Sequence, residues 1–294
     1  AQVGRETLSI VGVRYVVDGT RIVLFGGGVF ALIAGLLAYR RMDEREQVAV
    51  WKDLKSALRG DTAERRRMRS GGVFVAFEGG EGSGKSTQAA LLADRLRATG
   101  RGVVVTHEPG ATPVGEQIRE LVLHDDRRLT PRAEALLFAA DRALHVETVI
   151  KPALDCGEVV ITDRFVDSSL AYQGVGRRLP IDDVRRVSRW ATGGLSPDLT
   201  VLLDLPATDG LARMRGRGAA DKLEQESLEF HERVREAFRM LAESDPRRYL
   251  VVDARQSADT IAAQVHTAVA ALLTPRRVLR RTEQGRSEQV STTS

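Results

Sequence analysis

The chain has 294 residues, enough for one or two domains and for a core that needs no covalent staples. Its single cysteine excludes a disulfide-built extracellular scaffold, and 43% hydrophobic with 29% charged residues excludes a disordered or collagen-like chain. The net charge of +4 hints at nucleic acid or an anionic membrane, yet residues 1–70 carry +5, residues 71–273 carry −4 and residues 274–294 carry +3, so the central region is acidic and nucleic acid is not expected as its partner.

Residues 1–21 read as an extracytoplasmic or extended segment, with a β-like stretch at 9–17 (SIVGVRYVV). Residues 22–39 (IVLFGGGVFALIAGLLAY) run without a charge and close on Arg40 and Arg41, long enough for one transmembrane helix and too long for the apolar region of a signal peptide. Gly27, Ala31 and Gly35 recur at every fourth position, which puts small side chains on one face suited to close packing against another membrane helix. Arg40, Arg41, Arg45, Lys52 and Lys55 outnumber Arg5, Arg14 and Arg21, so the expected location is the cell membrane with the following domain cytoplasmic. A buried soluble helix or glycine-rich loop at 22–39 would instead make the protein cytoplasmic. The segment has the character of the last membrane helix of a larger fused protein. Residues 40–70, with the run Glu64-Arg65-Arg66-Arg67-Met68-Arg69, read as a juxtamembrane linker.

From 71 to 273 the pattern alternates. Apolar runs at 73–77, 103–106, 159–162, 199–205 and 249–252 predict strands, and the stretches 85–99, 115–123, 132–154, 182–191, 223–243 and 257–273 predict helices. Strands apolar on both sides, alternating with helices, imply an α/β domain built on a five-stranded parallel sheet with helices on both faces. Residues 274–294 have low hydrophobicity and no period, which predicts a disordered tail.

The chemistry begins after the first strand of this domain. Gly79-Gly80-Glu81-Gly82-Ser83-Gly84-Lys85-Ser86 matches G-x-x-x-x-G-K-[ST] between a strand and a helix, with Thr87 following. Glycines there turn backbone N–H groups toward phosphate oxygens, Lys85 bridges the outer phosphates, and Ser86 offers a hydroxyl to Mg²⁺. Asp163-Arg164-Phe165 puts a carboxylate and a guanidinium at the carboxyl edge of the sheet, where Asp163 suits a water-mediated contact to Mg²⁺ and Arg164 a phosphate. Arg213-Met214-Arg215-Gly216-Arg217-Gly218, with Ala219 and Ala220 behind it, reads as a basic loop able to close over a nucleotide. Cys156 reads as a small core residue, and His124 and His145 as structural.

These motifs, taken in order, resemble the bacterial thymidylate kinases, which belong to the phosphate-binding-loop kinases. The resemblance runs from about residue 71 to 273. It rests on Glu78 to Ser86, on His107-Glu108-Pro109-Gly110-Ala111-Thr112, and on the helix from Glu134 to His145. Asp163 to Gly174, with its Ala171-Tyr172-Gln173-Gly174, and an arginine-rich segment running into Glu224-Gln225-Glu226-Ser227 complete it. It implies transfer of phosphate from ATP to dTMP, with Mg²⁺, on the route to dTTP, by a homodimer. It further implies that Phe138 stacks on the thymine and Arg142 bonds the base edge. Tyr172 would crowd the sugar C2′, Gln173 and Ser169 would lie near the base and acceptor, and Glu81 would meet the sugar hydroxyl. Arg164 and Arg119 would hold the acceptor phosphate, Glu108 would sit near acceptor and metal, and Arg213, Arg215 and Arg217 would act in catalysis beside Lys85 and Asp163. His107, Ala111 and Lys222 depart from the family pattern; His107 removes a permanent charge and a bidentate donor. Two rivals stay open: another deoxynucleotide kinase of this fold, and an inactive nucleotide-sensing module of a membrane protein.

Overall fold

The structure, a computed structural model, describes residues 6–10, 13–17, 71–125, 129–215 and 221–274. The expected membrane helix at 22–39, the linker at 40–70, Arg217 and the tail beyond 274 lie outside the described residues. Among the described residues no helix is long and apolar enough to cross a membrane.

The chain divides into two compact units, Ala1–Asp61 and Thr62–Ser294. In the first, β1 (Glu6–Ile10) pairs antiparallel with β2 (Val13–Val17), Ile10 opposite Val13. The β-like reading of 9–17 thus resolves into a hairpin that begins three residues earlier.

The second unit holds β3 (Val73–Glu78), β4 (Val103–His107), β5 (Val159–Asp163), β6 (Leu199–Asp204) and β7 (Tyr249–Asp253). They form one parallel sheet in the order β4-β5-β3-β6-β7. Side chains alternate across a strand, so β3 supplies both faces. Val75 and Phe77 pack with Val201 and Leu203 against α1 (Lys85–Ala98) and α9 (Ala258–Leu273), where Ala89, Leu92 and Leu96 meet Ile261, Val265 and Val269. Phe74 and Ala76 face the other way onto Val146, Ile150 and Phe165, with the Phe74 and Phe165 rings edge to face at 5.0 Å. A third cluster joins Tyr172 and Leu202 to Phe230, Val234 and Phe238 of α8 (Leu228–Ser244).

Between the strands run α2 (Pro113–Arg119), α3 (Pro131–His145), α4 (Lys151–Asp155), α5 (Val166–Ser169), α6 (Ile181–Ala191) and α7 (Ala207–Met214). The single helix expected over 132–154 is two, joined by a widened turn at Val146–Ile150. Pro152 explains the break, since it has no N–H to return to the residue four before it. The helix expected from 223 starts at Leu228. The Asp221 carboxylate captures the N–H groups of Leu223 (2.8 Å) and Glu224 (2.9 Å) in a turn, and the Ser227 hydroxyl caps the helix at Phe230 N (3.3 Å). Cys156 is exposed, not a core residue: α4 is only five residues long and the chain turns at its end.

Candidate active site

The carboxyl ends of β3, β4 and β5 open onto a cleft of about 700 Å³, where open α/β sheets take their ligands. Glu81, Gly82, Gly84, Lys85, Ser86 and Thr87 line it from the loop after β3. Glu108, Arg119, Phe138, Arg142, Asp163, Arg164, Ser169, Tyr172 and Gln173 line it from the other elements.

On the loop side the backbone does most of the shaping. Gly79 (φ 140°) lies so close to β6 that a Cβ would stand 2.5 Å from Leu203 O, and at Gly82 (φ 67°) one would stand 2.4 Å from Gly210 O. Ser83 Oγ donates to Gly80 O (2.8 Å) and Lys85 Nζ donates to the same carbonyl (2.9 Å). Burial, followed by the nearby Arg164, pushes the Lys85 ammonium below its ordinary pKa. Gly84 is left-handed and α1 begins at the next residue, so the unpaired N–H groups of its first turn face an anion-binding concavity.

Ser86 Oγ donates to Asp163 Oδ2 (2.5 Å), while Asp163 Oδ1 is buried with no partner. A hydroxyl beside an unpartnered carboxylate oxygen is a hard, all-oxygen donor set. It fits Mg²⁺, an ion that takes one or two protein oxygens and completes its shell with water and phosphate. Among the described residues no group of three His, Cys, Asp or Glu side chains could hold a metal by itself.

The facing wall is made of charged side chains tied to one another. Arg164, itself left-handed at φ 71°, donates to Glu81 Oε1 (2.5 Å) and lies 4.9 Å from the centre of the Tyr172 ring, and the Tyr172 hydroxyl donates to the same Oε1 (2.8 Å). Burial alone would raise the Glu81 pKa, but Arg164, Lys85 and the Tyr172 hydroxyl outweigh it and hold the group at about 2. Deeper in, Arg142 donates from Nε to Glu108 Oε2 (2.7 Å), from Nη1 to Ser169 Oγ (3.0 Å) and from Nη2 to Phe165 O (3.1 Å). Three of its five N–H groups are thereby committed and two are left for a ligand. Phe138 is 8% exposed and serves both the core and the cleft wall. Gln173 Nε2 donates to Glu134 Oε1 (2.9 Å), and Arg177 bridges Glu134 to Glu226. Arg119 Nη1 is held by Pro109 O (3.0 Å). His107 also lines the cleft; burial, then Arg119, keep its pKa below the ordinary value.

Some expectations are not met in this conformation. Arg213 donates to Ala254 O (3.0 Å) and Gly82 O (3.4 Å), Arg215 is exposed, and neither lines the cleft; Asp221, Leu223 and Glu224 do. Glu108 lines the cleft as expected, and each of its oxygens also takes one donor, Arg142 on Oε2 and His145 on Oε1, so it orients those side chains. Glu78 and Glu134 were not singled out. Glu78 accepts from Phe165 N (2.9 Å), Ser168 N (3.1 Å) and Ser168 Oγ (2.6 Å). The available signal was a glutamate closing an apolar strand and another on the buried side of an apolar helix, both needing partners.

The comparisons agree on one family. The family model described as Thymidylate kinase matches residues 77–265. A thymidylate kinase of Clavibacter michiganensis subsp. michiganensis is 55% identical over 203 residues, 69% of this chain and 96% of that protein. One of Deinococcus radiodurans is 50% identical over 200 residues, 68% of this chain and 97% of that protein. Among solved structures, the thymidylate kinase from Ehrlichia chaffeensis aligns with a TM-score of 0.57 at 30% identity, covering 67% of this chain and 98% of that one.

Proposed function

The chain belongs to the thymidylate kinase family, and we propose that its cleft transfers the γ-phosphoryl group of ATP to dTMP, giving dTDP and ADP. The observation that carries this is the pairing, across one cleft, of a phosphate-binding loop with a wall that combines Phe138, Arg142, Arg164 and Tyr172. An oxygen of the dTMP phosphate attacks the γ-phosphorus in line, a new O–P bond forms, and the bond to the β-phosphate oxygen breaks. The acceptor is already an anionic nucleophile, so little general-base help is needed and no phosphoenzyme forms.

In this reading Lys85 leaves the Gly80 carbonyl to meet the outer phosphates of ATP, and the loop amides hold them. Arg164 takes the acceptor phosphate, with Arg119 beside it. Glu81 accepts from the deoxyribose 3′-hydroxyl, Tyr172 closes the space at C2′, Phe138 stacks on the base, and the two uncommitted N–H groups of Arg142 reach its edge. Ser86 and Asp163 would hold Mg²⁺, which neutralises charge on the phosphates when bound. Arg213 and Arg215 would have to move toward the cleft to approach the transferred group, and Arg217 would act with them. A coupled assay of ADP release by the full chain, with dTMP, dUMP, dCMP and AMP offered in turn, tests the reading. Turnover is expected with dTMP foremost; none with dTMP, or turnover with AMP alone, overturns it.

The resemblance also supports a homodimer, and the sequence supports a tether to the cell membrane through residues 22–39, with the kinase domain cytoplasmic. The full chain is expected in the membrane fraction of a cell lysate, released only by detergent; recovery in the supernatant without detergent overturns the tether.

A further inference from the structure

Behind Arg142 lies a chain of buried contacts that the transfer reaction does not itself call for. Glu108, just beyond β4, receives Arg142 Nε on Oε2 (2.7 Å) and His145 Nδ1 on Oε1 (2.9 Å). Arg142 and His145 stand three residues apart on one face of α3, so the two side chains converge on one carboxylate. The far nitrogen of His145, Nε2, meets Thr106 Oγ1 on β4 at 2.6 Å. His145 is completely buried and the other three are nearly so.

The chemistry of each group fixes the direction of the chain. A carboxylate paired with a guanidinium only accepts, so Nδ1 carries the proton toward Glu108, while Nε2 is held by the Thr106 hydroxyl, which can serve as donor or acceptor. Each polar atom of the imidazole in the line from Thr106 to Arg142 then has a partner. Without the Nδ1–H, Glu108 Oε1 is left buried with no donor. The nearest remedy is a two-pronged pairing with Arg142, the arrangement a guanidinium prefers, which turns Nη1 and Nη2 away from Ser169 and Phe165.

We propose that His145, backed by Thr106, is a positioning residue that sets the angle of the Arg142 guanidinium and so governs acceptor binding. The inference rests on the reading that Arg142 meets the base edge. Its signature is selective: KM for dTMP changes, whereas KM for ATP and kcat do not.

Steady-state kinetics on the full chain test it, with thermal unfolding in parallel. His145→Leu is expected to raise KM for dTMP about tenfold, the loss of one charge-assisted hydrogen bond, with KM for ATP within about twofold. His145→Asn, which keeps a donor near the Nδ1 position, is expected to recover most of that loss. Thr106→Val is expected to raise KM for dTMP about two- to threefold. An unchanged KM for dTMP in His145→Leu overturns the proposal, as does a fall in kcat and the unfolding midpoint together with a rise in both KM values that His145→Asn does not recover. Should His145→Leu not fold, Thr106→Val decides: an unchanged KM for dTMP overturns it. Arg142→Lys separates the underlying reading, since an unchanged KM for dTMP in that variant overturns the base contact itself.

Discussion

The two walls of the cleft are built on different principles. The loop wall runs through eight consecutive residues, Gly79 to Ser86, and its shape comes from backbone conformation and from close approaches that only glycine permits, as at Gly79 and Gly82. The facing wall draws Glu108, Arg142, Arg164, Ser169 and Tyr172 from three separate stretches of chain and fixes them by side-chain pairing. A backbone cradle suits phosphate, a group every nucleotide shares. A paired side-chain wall suits the part of the substrate that must be told apart from its relatives, because each partner restricts the angle of the next. Glu81 is the exception that joins them: it sits in the loop, yet its carboxylate belongs to Arg164 and Tyr172.

The sharpest way to break this division is Lys85→Met. If the walls act separately, the variant loses charge stabilisation at the transferred phosphoryl group, and kcat falls by about 10³-fold. KM for dTMP should then stay within about twofold, as measured by ADP release across a dTMP titration. Lys85 lies near Glu81 and Arg164, and each influences its protonation. A tenfold rise in KM for dTMP would therefore mean that the lysine also holds the acceptor wall in place, and the division would fail.

The same contrast decides how much could be read from the sequence. The loop was legible because its function lies in a contiguous pattern, and the sheet because β5 and β6 are nearly continuous apolar runs. The acceptor wall was legible as residues and not as contacts. Arg164 and Glu81 are 83 positions apart, and nothing local in either segment announces the other. Glu108 illustrates the cost: a carboxylate near acceptor and metal was expected, and it does line the cleft, but its pairing with Arg142 and His145 has no local signal in the sequence. The helix break before Pro152 and the late start of α8 were readable in principle, since a proline and an Asp-led turn cause them. The exposed Cys156 was not, because its position depends on where the chain leaves α4.

Two glutamates three residues apart show the contrast within a single turn of chain. Glu81 is held at about 2, its burial outweighed by Arg164 and Lys85. Glu78 is raised to about 7, first by burial and then by the neighbouring Asp167, against the hydrogen bonds from Ser168 and Phe165. The folded protein binds the Glu78 proton more tightly than the unfolded chain does. Stability from this group is therefore full below the unfolded value of 4.5 and is lost as pH rises through about 7. For Glu81 the sign reverses: its contribution is full above 4.5 and is lost only as pH falls toward 2. Glu78→Gln should fit the site, because Oε1 accepts the N–H groups of Phe165 and Ser168, while an amide nitrogen in place of Oε2 can donate to the Ser168 hydroxyl. Between about pH 5 and pH 7.5 the unfolding midpoint of Glu78→Gln is expected to decline less steeply than that of the wild type, by a few degrees over the window. Glu81→Gln should lower the midpoint while leaving the wild-type slope intact, since Glu81 does not titrate there. Equal slopes for Glu78→Gln and the wild type would mean that Glu78 stays ionised beneath the loop. The hydrogen bonds from Phe165 and Ser168 would then outweigh its burial, and the end of β3 would have to be counted with the paired, charged wall.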